Sequence, residues 1–414
     1  MKELIRNNLE NPRELEKLYR ENKQDFRKAF SSLYPELGQV PVADYWYERL
    51  HYPSEDISWG SGRELVVVLV IALGAGLAAK FPAIFDLSEE YFYPRHIGFI
   101  VFPFLAAYFA WKNKLPLQQV LLLGLATSLA LVFINLLPDT KNSDTLLLSC
   151  IHLLLFLWFV LGVAYAGKEW RKPEARLSYL RYNGDLLVMA ALLTIAGVML
   201  TGITIGLFSL IGLQIENFYF EYVVIFGLAA IPIIGTYLTQ TNPQLVNKVS
   251  PVIAKLFSPL VLVTLVVYLV AILYSGKDPY NDREFLLLFN ALLIGVMAII
   301  LFSVAETSRV TASQATTIVL LLLAALTVVV NGIALSAILF RITEWGVTPN
   351  RIAVLGGNLL ILLNLLLVTG KLFRVACKKA PISDVGNSIA NFLPLYTLWI
   401  IIVTFLFPLL FKFA

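Results

Sequence analysis

Charge is scarce in this chain. Only 14% of its 414 residues are Asp, Glu, Lys or Arg, against about a quarter in soluble domains. That shortage argues against the two or three water-soluble domains that length alone would suggest. Histidine and cysteine are rarer still. The three histidines, His51, His96 and His152, are too few and too scattered for a histidine-built zinc centre, so no metal site is expected. Cys150 lies in an apolar run and Cys377 in a basic stretch, which argues against a disulfide between them. No Walker A sequence occurs, so the chain carries no ATPase of its own. "LGAGLAAK" (73–80) has the glycine spacing of a dinucleotide fingerprint, but it sits inside an apolar run with no βαβ context. No cofactor and no nucleic-acid partner are expected.

What remains is apolar: 58% of residues are hydrophobic and the mean hydropathy is +0.76. A helix needs roughly 20 mainly apolar residues to cross the hydrocarbon core. Eleven runs approach or exceed that length: 64–85, 97–111, 117–137, 145–167, 185–213, 222–239, 256–275, 285–305, 315–340, 352–370 and 390–411. None alternates with period two, so the pattern predicts an all-α polytopic membrane bundle of about eleven transmembrane helices and not a barrel. The lipid bilayer is the first expected partner. Residues 1–63 are polar and lack the apolar core of a signal peptide, so the first span is expected to serve as an uncleaved anchor. The expected division is a helical appendage over 1–63 and a transmembrane bundle over 64–414.

Orientation follows from where the cations fall. With the N-terminus inside, cytoplasmic segments hold 24 of the 32 Lys and Arg, and the other face holds 8. Setting aside the ten in the long N-terminal segment leaves 14 against 8, the same direction. The sequence therefore predicts a bacterial inner-membrane protein with a cytoplasmic N-terminus and an external C-terminus.

Within the appendage, "NPRELEKLYRENKQDFRKAF" opens with Asn11 as a cap, Pro12 at the first helical position and Glu14 placed for a capping box. Leu15, Leu18, Tyr19, Phe26, Phe30 and Leu33 recur at helical spacing, and Pro35 with Gly38 is expected to end the helix. A second helix is expected around Ala43 to Leu50. Some 60 residues bury little surface alone, so this pair is expected to cap the inner membrane surface or to dock a protein partner.

Several residues inside the spans carry chemistry. The fifth span contains Gly197, Gly202, Gly206 and Gly212, and the sixth contains "IPIIG", where Pro232 removes a backbone donor and Gly235 loosens the next turn. Broken helices of this kind line transporter cavities, while close packing through small residues explains the same glycines. His152 places an imidazole in an apolar run, where an ionisable group is costly and often functional. A general base and a hydrogen-bonded packing residue are both open readings. Glu89, Glu90, Arg95 and His96 resemble an intramembrane protease set only loosely, because the spacing is wrong, and they are read as a charged outer turn. Asn135, Asn290, Asn331, Asn358 and Asn364 are expected to bond between helices. Glu306 and Arg309 are placed for a local ion pair.

"RITEWGVTPNR" (341–351) separates the ninth and tenth runs. Arg341 and Glu344 share a face if the ninth helix continues through them. Gly346 can then end that helix, Thr348 cap the next and Pro349 begin it. Two arginines remain on the outer side, where guanidinium groups beside a helix N-terminus suit an anion. Arg341, Glu344, Thr348 and Arg351 are thus a candidate anion site, and Gly202, Gly206, Pro232, Gly235 and His152 a candidate cavity.

The same eleven residues resemble the signature of an uncharacterised bacterial membrane family, the domain of unknown function 4153. Arg341, Gly346, Thr348 and Arg351 match it, and Trp345 and Val347 depart conservatively. "ISWG" and "EEYFYPRHIGFIVFP" also resemble membrane proteins of Bacteroidetes-type bacteria that begin with such an appendage. The resemblance implies an inner-membrane location and no activity. Some members continue into an outer soluble part, which this chain is expected to lack. Function is expected to be that of a permease not driven by ATP. A membrane-embedded enzyme acting on lipid or envelope precursors, and a scaffold or sensor working through residues 1–63, are the alternatives.

Overall fold

A computed structural model describes residues 1–9, 11–37, 41–51, 60–140, 143–247, 249–275, 283–307 and 313–413. Among them the chain is helical, with no strand. It divides into two compact units, Met1–Ser58 and Trp59–Ala414.

The first unit holds α1 (Lys2–Asn7), α2 (Pro12–Glu21), α3 (Lys23–Leu37) and α4 (Pro41–His51). Asn11 caps α2 as expected, its side chain accepting from the Glu14 backbone N–H. The expected single helix is instead broken at Asn22, whose own side chain accepts from the Asp25 N–H and so restarts the chain as α3. Pro35 does not end α3, which runs on to Leu37; Gly38 lies outside the described residues. Although small, the unit closes a core of its own around Leu15, Phe26, Phe30 and Trp46. At its edge Glu16 pairs with Arg20 and Arg49, each at 2.8 Å. The Arg20 hydrogen bond leads in holding the Glu16 carboxyl below its ordinary range.

The second unit contains α5 (Gly62–Ile84), α6 (Glu89–Lys112), α7 (Leu117–Leu136), α8 (Asp144–Ala166) and α9 (Pro173–Leu210). Next comes one continuous helix in three pieces: α10 (Glu216–Phe218), a π-helical turn (Tyr219–Val224) and α11 (Ile225–Thr241). The short α12 (Gln244–Asn247) leads to α13 (Val249–Ser275), α14 (Arg283–Thr307), α15 (Gln314–Trp345) and α16 (Pro349–Ala376). Last come α17 (Ser383–Ile401), a second π-helical turn (Ile402–Leu406) and α18 (Phe407–Leu410). Eight of these helical stretches are long and apolar enough to cross a membrane, and they bury only 6–39% of their most apolar windows. Leu136, Leu187 and Leu210 stand out from the protein at 76%, 72% and 85% exposure. Side chains of this kind facing outward on helix after helix are compatible with an integral membrane protein whose solvent is lipid.

Two cores organise the bundle. One joins α5, α6, α8, α9 and α11 around Tyr108, Phe109 and Ile233. The other joins α13 to α17 around Ile300, Leu323 and Leu365. Leu177 of α9, Ala305 of α14 and Ala390 of α17 pack together where the two meet. Asparagines fasten the second core: Asn358 donates to Asn290 at 2.9 Å, and Asn331 donates to the Asn358 carbonyl at 3.1 Å. This is the interhelical use expected of them.

Helices also reach beyond the apolar runs from which they were predicted. α6 begins at Glu89 and so includes Arg95 and His96, which the sequence reading assigned to a loop. α9 begins at Pro173, twelve residues before its apolar run, and α17 begins at Ser383, seven residues before its own. Composition marks what faces lipid, whereas a helix continues wherever its polar residues find water or partners.

Candidate functional site

The segment 341–351 forms as its residues dictate. α15 runs through Arg341 and Glu344 to Trp345, and Gly346 ends it at φ +79°. Thr348 caps α16 by accepting from the Arg351 backbone N–H, and Pro349 occupies the first turn. Arg351 then turns back: its Nη1 donates to the Trp345 and Gly346 carbonyls at 2.8 and 2.6 Å. These are orphan acceptors at the end of α15, so one guanidinium closes the C-terminus of the preceding helix. Both guanidinium carbons lie near the Trp345 ring, Arg341 at 5.2 Å and Arg351 at 5.8 Å from its centroid. Arg341 is buried and Glu344 exposed. Sequence reasoning placed every stop-and-start residue here, but the capping role of Arg351 depends on a six-residue reach that spacing does not reveal.

Gly202 lines a cavity of about 720 Å³ between α9 and the α10–α11 helix. Gly197, Thr194 and Thr201 share its walls, with Gly227 opposite. A Cβ on Gly197, Gly202, Gly206 or Gly227 would meet nothing within 4 Å, so these glycines open space and do not hold a close packing contact in this chain. Gly235 differs, because a Cβ there would come within 3.0 Å of Leu186. Neither span is broken. α9 is continuous over 38 residues, and α11 passes through Pro232, whose carbonyl accepts from the Thr236 hydroxyl at 2.7 Å. The departure from α-helical geometry is the π-helical turn at Tyr219–Val224, beside the cavity. At that turn Glu221 meets the buried Lys80 ammonium of α5 at 3.1 Å. The cavity walls are almost wholly apolar, which suits an acyl chain better than a polar solute. His152 is not among the lining residues; its Nδ1–H donates to the Leu148 carbonyl of its own helix.

A polar cluster sits where α6 meets α7. Arg95, buried, donates to Asp139 at 2.8 Å and lies 4.0 Å from the Tyr91 ring centroid. His96 donates through Nδ1 to the Phe92 carbonyl, which leaves Nε2 to accept from Asn135 at 3.0 Å. The imidazole is thereby fixed as the neutral Nδ1–H tautomer. Arg309, the proposed partner of Glu306, lies outside the described residues.

The site that sequence reasoning missed is between α16 and α17. A cleft of about 500 Å³ is lined by Leu367 and Lys371 of α16 and by Asp384, Asn387, Ser388, Asn391 and Phe392 of α17. The α17 polar residues recur at i, i+3, i+4 and i+7, which is one helical face. Among the described residues, the side chains of Lys371, Asp384, Asn387, Ser388 and Asn391 have no hydrogen-bond or ion-pair partner. Two turns before Lys371 on the same face of α16, the fully buried Asn364 donates to the Tyr396 hydroxyl of α17 at 3.1 Å, and its Oδ1 has no partner. The signal was present in the i, i+3, i+4, i+7 spacing. Hydropathy hides it, because Asp384, Asn387 and Ser388 fall before the apolar run 390–411 and only Asn391 within it.

No family model, no curated protein and no solved structure matches this chain.

Proposed function

We propose that this chain is an inner-membrane permease that works without ATP, with the α16–α17 cleft as its polar vestibule. One observation carries the reading: among the described residues, five polar side chains without protein partners, Lys371 of α16 and four of α17, line a cleft between two helices of membrane-spanning length. From Ser383 to Leu410 the helix counts 28 residues, which corresponds to about 42 Å. That exceeds the ~30 Å hydrocarbon core. With the excess shared between the two ends, Asn391 lies roughly 6 Å inside the hydrocarbon. A solvated rim accounts for Lys371 and Asp384. It does not account for Asn391, whose amide in lipid without a partner is costly unless water or a solute reaches it.

The same reading takes α6, α13 and α14, of 24, 27 and 25 residues, as spans beside the eight clear ones, which makes eleven. It places the N-terminus and the α16–α17 turn inside, on the side favoured by Lys371, Arg374, Lys378 and Lys379. The likeness of 341–351 to the domain of unknown function 4153 signature supports the bacterial inner-membrane location.

The test is an untargeted comparison of solutes and lipids in wild-type and deletion cells. Uptake of any differing solute is then measured in proteoliposomes without nucleotide. Uptake that Asn391→Leu reduces supports the permease. A changed lipid or glycan profile with no solute moved would favour an envelope enzyme instead.

A further inference from the structure

We infer that the α16–α17 cleft recognises a zwitterion of amino-acid size, an ammonium and a carboxylate on one small molecule; the inference rests on the permease reading. Lys371 and Asp384 bring opposite charges to one cleft, and neither has an ion-pair partner among the described residues. Had these charges served only to anchor the helix ends, each would gain by pairing with the other across the turn that joins α16 to α17. They stay apart and face the same space.

A solute that bears both charges answers both walls. Its carboxylate accepts from the Lys371 ammonium, and its ammonium donates to the Asp384 carboxylate. A simple anion would leave Asp384 repelling it, and a simple cation would face Lys371. A neutral polyol would leave both charges unanswered, each in a cleft shielded from bulk water on one side. In the same cleft, Asn387, Ser388 and Asn391 offer donors and acceptors without net charge, which suits a small polar side chain. The volume, about 500 Å³, lies within the range of small-molecule sites. Leu367 and Phe392 add apolar surface to the cleft walls. Seven residues before Lys371 on α16, the buried Asn364 Oδ1 also has no partner.

The experiment uses the full-length protein in detergent and in proteoliposomes, with L-alanine, L-serine and L-glutamine as zwitterions. L-Alaninamide is the cation-only probe, N-acetyl-L-alanine the anion-only probe and glucose the neutral one. Stabilisation against heat and uptake are both expected with one or more zwitterions and with none of the other probes. Lys371→Gln is expected to weaken the zwitterion response roughly tenfold to a hundredfold and to admit the amide. Asp384→Asn is expected to weaken it similarly and to admit the N-acetyl compound. Lys371→Arg and Asp384→Glu keep the charges and should keep the response, which covers the case in which the neutral variants fail to insert.

A zwitterion response equalled by the amide or the N-acetyl compound overturns the inference, as does a response unchanged in both charge-removing variants. Glucose uptake without any zwitterion effect overturns it too, while leaving the permease standing. If nothing is transported but zwitterions stabilise the protein through Lys371 and Asp384, recognition stands and the permease reading fails.

Discussion

Gly356→Ala and Gly202→Ala make the same chemical change in two helices and should have opposite consequences. A Cβ on Gly356 of α16 would overlap the ring of Trp399 on α17, whereas a Cβ on Gly202 of α9 meets nothing within 4 Å. The Trp399 ring cannot swing away freely, because Phe407 packs edge-on against it at 5.9 Å. Replacing glycine by alanine inside a helix gains about 1 kcal/mol in either place. That gain cancels when the two variants are compared. The remaining difference is the cost of overpacking, about 1–3 kcal/mol. Gly202→Ala should therefore melt at or slightly above the wild-type temperature, and Gly356→Ala clearly below Gly202→Ala. The assay is the apparent melting midpoint of the full chain in one detergent. Apparent midpoints suffice, because a many-helix protein need not unfold in a single step. If Gly202→Ala loses as much as Gly356→Ala, something packs on the α9 glycines, and the cavity they line is filled in the working protein.

Arg351→Gln should lower the same midpoint, because it removes two charge-assisted hydrogen bonds worth together on the order of 1–3 kcal/mol at a half-exposed helix end. Arg351→Lys should not restore it, since the lysine ammonium ends one bond short of the Nη1 that makes both bonds and lacks the planar guanidinium that lies near Trp345; wild-type behaviour of the lysine variant would refute the capping role. In the first unit, the Glu16 carboxyl is held below its ordinary value of 4.5. A depressed carboxylate contributes stability that is fully present above its unfolded value and is lost as pH falls through its folded one. Hydrogen exchange in α2 and α4 should quicken as pH drops below that range after correction for intrinsic rates, and Glu16→Gln should remove the pH dependence. An unchanged profile in that variant would count against the Arg20–Glu16–Arg49 contact. Cys377 is exposed and Cys150 buried, so the native chain carries its own reporter of orientation. An impermeant maleimide should leave Cys377 unlabelled in intact cells and label it after permeabilisation, while Thr343→Cys should react in both; the opposite pattern would invert the topology.

Local chemistry was legible from sequence wherever a single residue type decides the backbone. Asn11, Thr348, Pro349 and Gly346 each do what their side chains or dihedral preferences require, and no distant contact is needed to place them. Eight of the eleven apolar runs lie in helices long and apolar enough to cross a membrane, and these were legible for a similar reason: lipid demands one composition over one length. Where a helix's environment changes along its axis, hydropathy gave the wrong ends. Arg95 sits on α6, and Arg176 and Arg181 on α9, because partners on other segments accept their donors, while His96 accepts from Asn135 of α7. Arg181 donates to the Ala305 carbonyl at 2.7 Å, and Arg176 donates to the Ala390 carbonyl at 3.1 Å. Those two carbonyls lie 124 and 214 residues from their arginines, and Asp139 lies 44 from Arg95, so no local window contains them.

The α17 stripe shows why a site in a membrane protein is easily lost in this way. Asp384, Asn387 and Ser388 lower hydropathy enough to look like a loop before the apolar run 390–411, yet with Asn391 their spacing is that of one helical face. A loop would need no such periodicity. A lipid-facing helix would not tolerate it, and a helix bordering a polar space produces both features at once. Shifting the polarity should therefore shift the space. Asn387→Leu with Asn391→Leu should leave insertion intact, since it makes the span more apolar, while closing the cleft to water. A cysteine at Ser388 should react with a small aqueous thiol reagent in permeabilised cells when the asparagines are present, and tenfold or more slowly when they are leucine. Equal reactivity in the two backgrounds would mean that the cleft is wet for reasons unrelated to this stripe, and the stripe would then be only the rim of a helix end.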